Sequence, residues 1–135
     1  MVYVTRREVF SASHRLHNEE LSDKENEELF DKCNNPGGHG HNYVLEVTVA
    51  GEPDEKTGYV IDLKDLKKII KEKISAKMDH KHLNNDVDFM KGINPTAENI
   101  AIAIWKQLEN EIPNGKLYSV KIYETENNYA EFKGD

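Results

Sequence analysis

Residues 39–50 read HGHNYVLEVTVA. From Tyr43 to Ala50 this is a strand pattern: Tyr43, Leu45, Val47 and Val49 point to one side, and Val44, Glu46, Thr48 and Ala50 to the other. If the strand starts at His39, then His39 and His41 join the Leu45, Val47, Val49 face. That face is the apolar one, the one helices should cover. Two neutral imidazoles on one face, two residues apart, can chelate a single metal ion.

Working outward, the next segment, Gly51 to Gly58, holds Pro53 and Asp54 and reads as a hairpin loop, with Tyr59 to Ile61 as a short return strand. Val2 to Phe10 mixes β-branched and aromatic residues with charge and is a further strand. Leu117 to Thr125 alternates again, placing Tyr118, Val120 and Ile122 on one face; a turn at residues 126–128 leads to a last strand, Tyr129 to Phe132. Leu63, Leu66, Ile69, Ile70 and Ile74 keep a helical period. Asn94-Pro95 starts a second helix, with Asn as N-cap and Pro at the first helical position, whose apolar face runs from Ala97 through Ile104 to Ile112 and which ends before Pro113. Ser22-x-x-Glu25 is a capping box that predicts a short helix through Leu29 and Phe30, in competition with a solvated loop. The order β-β-α-α-β-β gives an α+β fold: a four-stranded antiparallel sheet with two helices on one face. Its open sheet edges call for a neighbouring subunit.

The chain has 135 residues, the size of one domain spanning 1–135. It carries 18 Lys and Arg against 25 Asp and Glu, a formal charge of −7. That balance argues against a nucleic-acid module, which needs basic side chains to displace phosphate counterions. Mean hydropathy is −0.77, and no apolar run approaches the roughly 20 residues of a membrane helix. Charge interrupts the apolar residues after Met1, so no signal peptide is expected. The single cysteine, Cys33, has no intrachain disulfide partner, which fits a reducing cytoplasm.

Six histidines need sorting. His14 ends the first strand, and if that strand pairs with the Tyr43 strand it reaches the same ion as His39 and His41. Three histidines leave a tetrahedral Zn²⁺ one open position, the arrangement of a catalytic site. His17 and His82 are expected to face solvent. Cys33 precedes His39 across Asn34-Asn35-Pro36-Gly37-Gly38, a stretch able to bring the thiol back beside the metal. A nearby cation favours the thiolate, the form that acts as base or nucleophile. Asp79-His80 follows the first long helix and offers a carboxylate–imidazole proton relay. Metal, thiol and relay together suggest proton abstraction beside a metal-bound oxygen.

Phe10-Ser11-Ala12-Ser13-His14-Arg15-Leu16, Cys33-Asn34-Asn35-Pro36 with His39-Gly40-His41-Asn42-Tyr43, Asp79-His80, Pro95-Thr96-Ala97-Glu98-Asn99 and Tyr123-Glu124-Thr125 occur in the order seen in the 6-pyruvoyl-tetrahydropterin synthase family. The chain resembles that family nearly end to end. The resemblance implies conversion of 7,8-dihydroneopterin triphosphate to 6-pyruvoyl-tetrahydropterin with elimination of triphosphate, in tetrahydrobiopterin synthesis. It implies Zn²⁺ on His14, His39 and His41, Cys33 as general base, and Asp79 with His80 as relay. It implies Glu124 as the anchor of the pterin ring and Thr96 in the pterin pocket; Ala97 stands where some relatives have a second Thr. Arg15 and Lys32 flank the motifs without marking a triphosphate site. The implied architecture is the tunnelling fold, in which three subunits close a barrel and two barrels stack as a homohexamer. Asp79 and His80 then serve the zinc site of a neighbouring chain.

Two readings compete. A 6-carboxytetrahydropterin synthase of queuosine biosynthesis uses similar residues but releases acetaldehyde, and usually has a shorter gap between Cys and His-Gly-His than the five residues found here. A branch that replaces the Cys with Glu is disfavoured by Cys33. A non-catalytic zinc- or pterin-binding protein needs neither Cys33 nor Asp79-His80.

Overall fold

The computed structural model describes residues 1–135. The Tyr43 strand is the centre of the fold. It runs as β2 from His39 to Gly51, with β1 (Val2–His14) antiparallel along its whole length on one side. On its other side lies β4 (Lys116–Tyr123), which pairs in turn with β5 (Tyr129–Phe132). Alternation holds in β2 up to Val49: Tyr43, Leu45, Val47 and Val49 are fully buried. They form the floor of a 23-residue apolar core roofed by helices.

The sheet has five strands, not four, and it is mixed: β3 (Lys81–His82) pairs parallel to β1, opposite Ala12 and Ser13. A two-residue strand is too short to carry a pattern, so its place is set by tertiary contact alone. Tyr59 to Ile61 is not a return strand. Both edges of β2 are already taken by β1 and β4, leaving no ladder for it to join. Val60 and Ile61 enter the core from irregular backbone. Tyr118 does not share the core face with Val120 and Ile122. A bulge opposite Thr48 and Val49 shifts the register, so that Leu117 is buried and Tyr118 is exposed.

Two helical rods pack on the sheet, and a third helix stands off it, largely exposed. The capping box does form that helix: α1 (Asp23–Phe30) has Ser22 accepting from Glu25 N, and Glu25 reaching back to Ser22 N. The first rod is α2 (Leu63–Ile70), capped by Asp62, continued by a π-helical turn over Lys71–Ser75 and by α3 (Ala76–Met78). Leu66, Ile70, Ile74 and Met78 are all fully buried. A spacing of four drifts by about 40° per step on an α-helix; the wider π turn rotates the stripe back onto the sheet. The second rod, α4 (Ala97–Leu108), starts later than the Asn94-Pro95 signal predicts. Thr96 is the N-cap, accepting from Asn99 N at 3.2 Å, and Pro95 lies outside the helix. No helix is long and apolar enough to cross a membrane.

Candidate metal centre and flanking acid–base groups

The β1–β2 register creates the site. His14 stands opposite His39, and Ala12 opposite His41. All three imidazoles therefore project from the inner face at the end of the sheet. One ligand nitrogen from each lies within 4.8 Å of the others. His14 is completely buried. Its Nδ1 sits 2.7 Å from Pro95 O, with Tyr43 Oη at 3.2 Å. As donor to that carbonyl, Nδ1 keeps the proton and leaves the Nε2 lone pair for a metal. Nε2 lies 3.1 Å from His39 Nε2. His41 Nε2 is buried with no hydrogen-bond partner. Its nearest carboxylate, Glu124 Oε1, is 3.6 Å away, too far for a hydrogen bond. Converging ring nitrogens with an unmet acceptor among them fit a soft-to-borderline dication such as Zn²⁺.

Burial holds the His14 imidazole below its ordinary value, against the Pro95 carbonyl and Glu124, which raise it. Burial does the same to His41, against Glu124. The lowering favours the neutral, ligating form of His14 and His41. Between the ordinary value of 6.5 and the lowered folded values, the unfolded chain binds more protons than the folded one. Stability of the metal-free protein is then complete above about pH 6.5 and lost as pH falls below it. Thermal melts of chelator-treated protein from pH 7.5 to 5 should show a falling Tm, and a flat profile would contradict this picture of His14 and His41. The exposed carboxylates with lowered values start from 3.8 or 4.5 and act below that window.

Cys33 is half-buried on a 3₁₀ turn (Asp31–Asn34). Burial pushes its thiol up, with Glu124 and Asp31 adding to the effect. Tyr43 is pushed up by burial, by Glu124 and by Cys33. Cys33, Glu124, Tyr43 and the histidines thus share one electrostatic neighbourhood. Glu124 directly follows β4, its side chain 27% exposed, and its carboxylate is free to accept from a ligand. Thr96 is half-buried, and its hydroxyl oxygen serves as the α4 cap.

Asp79 and His80 make no hydrogen bond to this trio, although His80 lines one open cavity with His41. Asp79 accepts from Ser11 N at 2.9 Å and pairs with His80 Nδ1 at 3.1 Å. The bond from Ser11 holds its carboxyl below the usual range. His80 N donates to Ser11 O, three residues before His14 and one before Ala12, the strand partner of His41. The His80 side chain is 82% exposed, on a backbone with φ of 60°. A left-handed non-glycine residue is strained, and such strain clusters at functional positions.

His17 and His82 are half-buried rather than solvent-facing. His17 Nδ1 is met by Asn34 Nδ2 at 2.9 Å, and His82 Nδ1 is buried without a partner. Both line a polar cavity of about 650 Å³ with Arg15, Asn84 and Asn94. Lys32 is exposed. Sequence reasoning missed Tyr43 as a neighbour of His14, although its shared parity with His39 and His41 signals it; the Pro95 carbonyl has no sequence signal. It also missed Gly38. With φ of +76°, a Cβ there would lie 2.9 Å from His14 O and 3.0 Å from His82 Nε2. Gly38→Ala adds about 1–2 kcal/mol of backbone strain, and the His14 carbonyl is backbone that cannot yield. The start of β2, carrying His39, must move. We expect a lower Tm and weaker zinc binding, measurable by competition with a chromophoric chelator.

A family model described as 6-pyruvoyl tetrahydropterin synthase matches residues 3–135. The human 6-pyruvoyl tetrahydrobiopterin synthase is 53% identical over 132 residues, covering 98% of this chain and 91% of that protein. The Dictyostelium discoideum protein of the same name is 50% identical over 134 residues, covering 99% and 97%. The solved structure of Caenorhabditis elegans 6-pyruvoyl tetrahydropterin synthase matches with a TM-score of 0.94 at 46% identity, covering 99% of this chain and 96% of that one.

Proposed function

Because the chain belongs to the 6-pyruvoyl tetrahydropterin synthase family, we propose that it takes 7,8-dihydroneopterin triphosphate to 6-pyruvoyl-tetrahydropterin and eliminates triphosphate. The observation that carries this reading is the convergence of His14, His39 and His41 beside Cys33 and Glu124 at one end of the sheet. Zn²⁺ bound by the three imidazoles supplies Lewis-acid polarisation of the substrate's side-chain oxygens and a positive field that favours the Cys33 thiolate.

The protein's own groups do the rest. Glu124 presents two carboxylate oxygens to the amino-pyrimidine edge of the pterin, accepting two parallel N–H bonds. Cys33 takes and returns protons on the three-carbon side chain. Thr96, whose oxygen caps α4, keeps its hydroxyl proton to donate to the ring. Asp79 orients His80, and the imidazole exchanges the complementary proton.

The exposure of the His80 side chain supports a site shared between subunits. So does the sheet face turned away from the helices, where Tyr3, Val9, Tyr118 and Tyr129 are exposed. Three chains closing a barrel, and two barrels stacked as a hexamer in the cytoplasm, would cover that face and the β5 edge and bring Asp79-His80 to a neighbour's metal.

The test is to incubate zinc-loaded protein with 7,8-dihydroneopterin triphosphate, without a reductase, and identify products by mass spectrometry. Triphosphate plus an intact diketone side chain supports the proposal. Acetaldehyde plus a 6-carboxypterin assigns the queuosine-type reaction instead. No turnover by an assembled, zinc-containing oligomer leaves a binding protein.

A further inference from the structure

Between His14 and α1 the chain forms no regular element, yet its polar groups are engaged on every side. Arg15 N donates to Asn84 Oδ1 at 2.9 Å, and Asn84 Nδ2 donates back to Arg15 O at 2.8 Å. His17 N donates to Asn94 Oδ1 at 3.1 Å. This strap, fixed at both ends, holds the Cys33 turn. Leu16 N donates to Cys33 O at 2.8 Å, and Arg15 Nε donates to Asn34 O at 2.9 Å. The Asn34 amide completes the grip: Nδ2 donates to Leu16 O at 2.8 Å and lies 2.9 Å from His17 Nδ1.

Apart from this strap, the turn is anchored by its continuity with α1, where Asp31 N donates to Glu27 O. It is four residues long, has no side-chain N-cap bond, and is followed by Asn35-Pro36-Gly37-Gly38. We infer that Asn34 is a positioning residue for Cys33: its carboxamide ties the thiol-bearing turn to the strap that leads out of metal ligand His14. The inference rests on the reading of Cys33 as the base. The chemistry requires a carboxamide, because both acceptors need N–H donors. Aspartate would set oxygens against the Leu16 carbonyl, and alanine would leave that carbonyl and the His17 nitrogen unmet. Reacting groups lose rate steeply when displaced by an ångström, so slack in this turn appears in the proton-transfer step and not in substrate binding.

The experiment is Asn34→Ala in the zinc-loaded, assembled protein, read three ways: steady-state kinetics, zinc content, and the rate constant for alkylation of Cys33 by iodoacetamide. We expect kcat to fall about 100-fold with KM changed less than about threefold, full zinc content, and an alkylation rate constant clearly different from wild type. Unchanged kcat and alkylation rate overturn the inference. So does a loss of activity that only tracks a loss of zinc or folded protein, which is a merely structural role. If Asn34→Ala does not fold, Arg15→Lys loosens the same turn from the Asn34 carbonyl side and is read identically. Alkylation needs no substrate. It therefore decides the inference even if the wild-type protein fails to convert 7,8-dihydroneopterin triphosphate, a failure that would remove the proposed function instead.

Discussion

Cys33→Ala is expected to lower kcat by about 10²–10⁴-fold, the range for loss of a positioned general base, while zinc remains bound. The two halves of this expectation have separate physical origins. The thiol is half-buried on a turn held by the Leu16 amide, the Arg15 guanidinium and the Asn34 carboxamide, and alanine leaves those intact. The three imidazoles are held by the β1–β2 register and by Pro95 and Tyr43, none of which touches the sulfur. Metal content and Tm should therefore stay near wild type. Cys33→Ser should not rescue, because a hydroxyl is a far weaker acid than a thiol. Single-turnover kinetics beside zinc analysis checks both halves. A Cys33→Ala protein with near-normal turnover would falsify the assignment of the base.

His80→Ala should abolish turnover in a homogeneous preparation and yet be complemented by the Cys33→Ala chain. If each site takes Cys33 from one subunit and His80 from another, random mixing of the two inactive chains makes about a quarter of the sites fully wild type. Co-refolding equal amounts should recover activity on that order, whereas a site built within one chain recovers none. His80→Gly separates chemistry from structure. The residue sits at φ of 60° with an exposed side chain, so glycine removes backbone strain without removing packing. That variant should melt higher than wild type while remaining inactive. A lower Tm would mean that the imidazole helps hold its own chain together.

Much of this architecture is legible because it is local. The alternation of β2, the capping box of α1 and the apolar stripe of the first rod are each written within about a dozen residues. So is the pairing of His39 with His41, and the family motifs extend it to His14. What escapes is what depends on competition between distant segments. Residues 59–61 have strand composition, but the edges of β2 are occupied. Tyr118 and Leu117 exchange faces because of a bulge that only the partner strand defines. Asn94 and Thr96 are both good caps, and Thr96 prevails while Asn94 is spent on His17 N and, through its carbonyl, on Asn99. The supporting contacts of the site are less legible still: the carbonyls of Pro95 and Cys33 carry no residue-type signature at all.

The register that sets His14 against His39 joins residues 25 positions apart, and the Pro95 carbonyl that orients His14 arrives from 81 positions away. A slip of one residue between β1 and β2 would send His14 to the opposite face from His39 and His41. Tight metal capture therefore requires correct strand pairing and a docked α4 at once. In a refolding experiment, zinc uptake would lag behind helix formation and mark the final closure of the long-range contacts. The centre proposed to do the chemistry would thus double as a timekeeper for the maturation of its own chain.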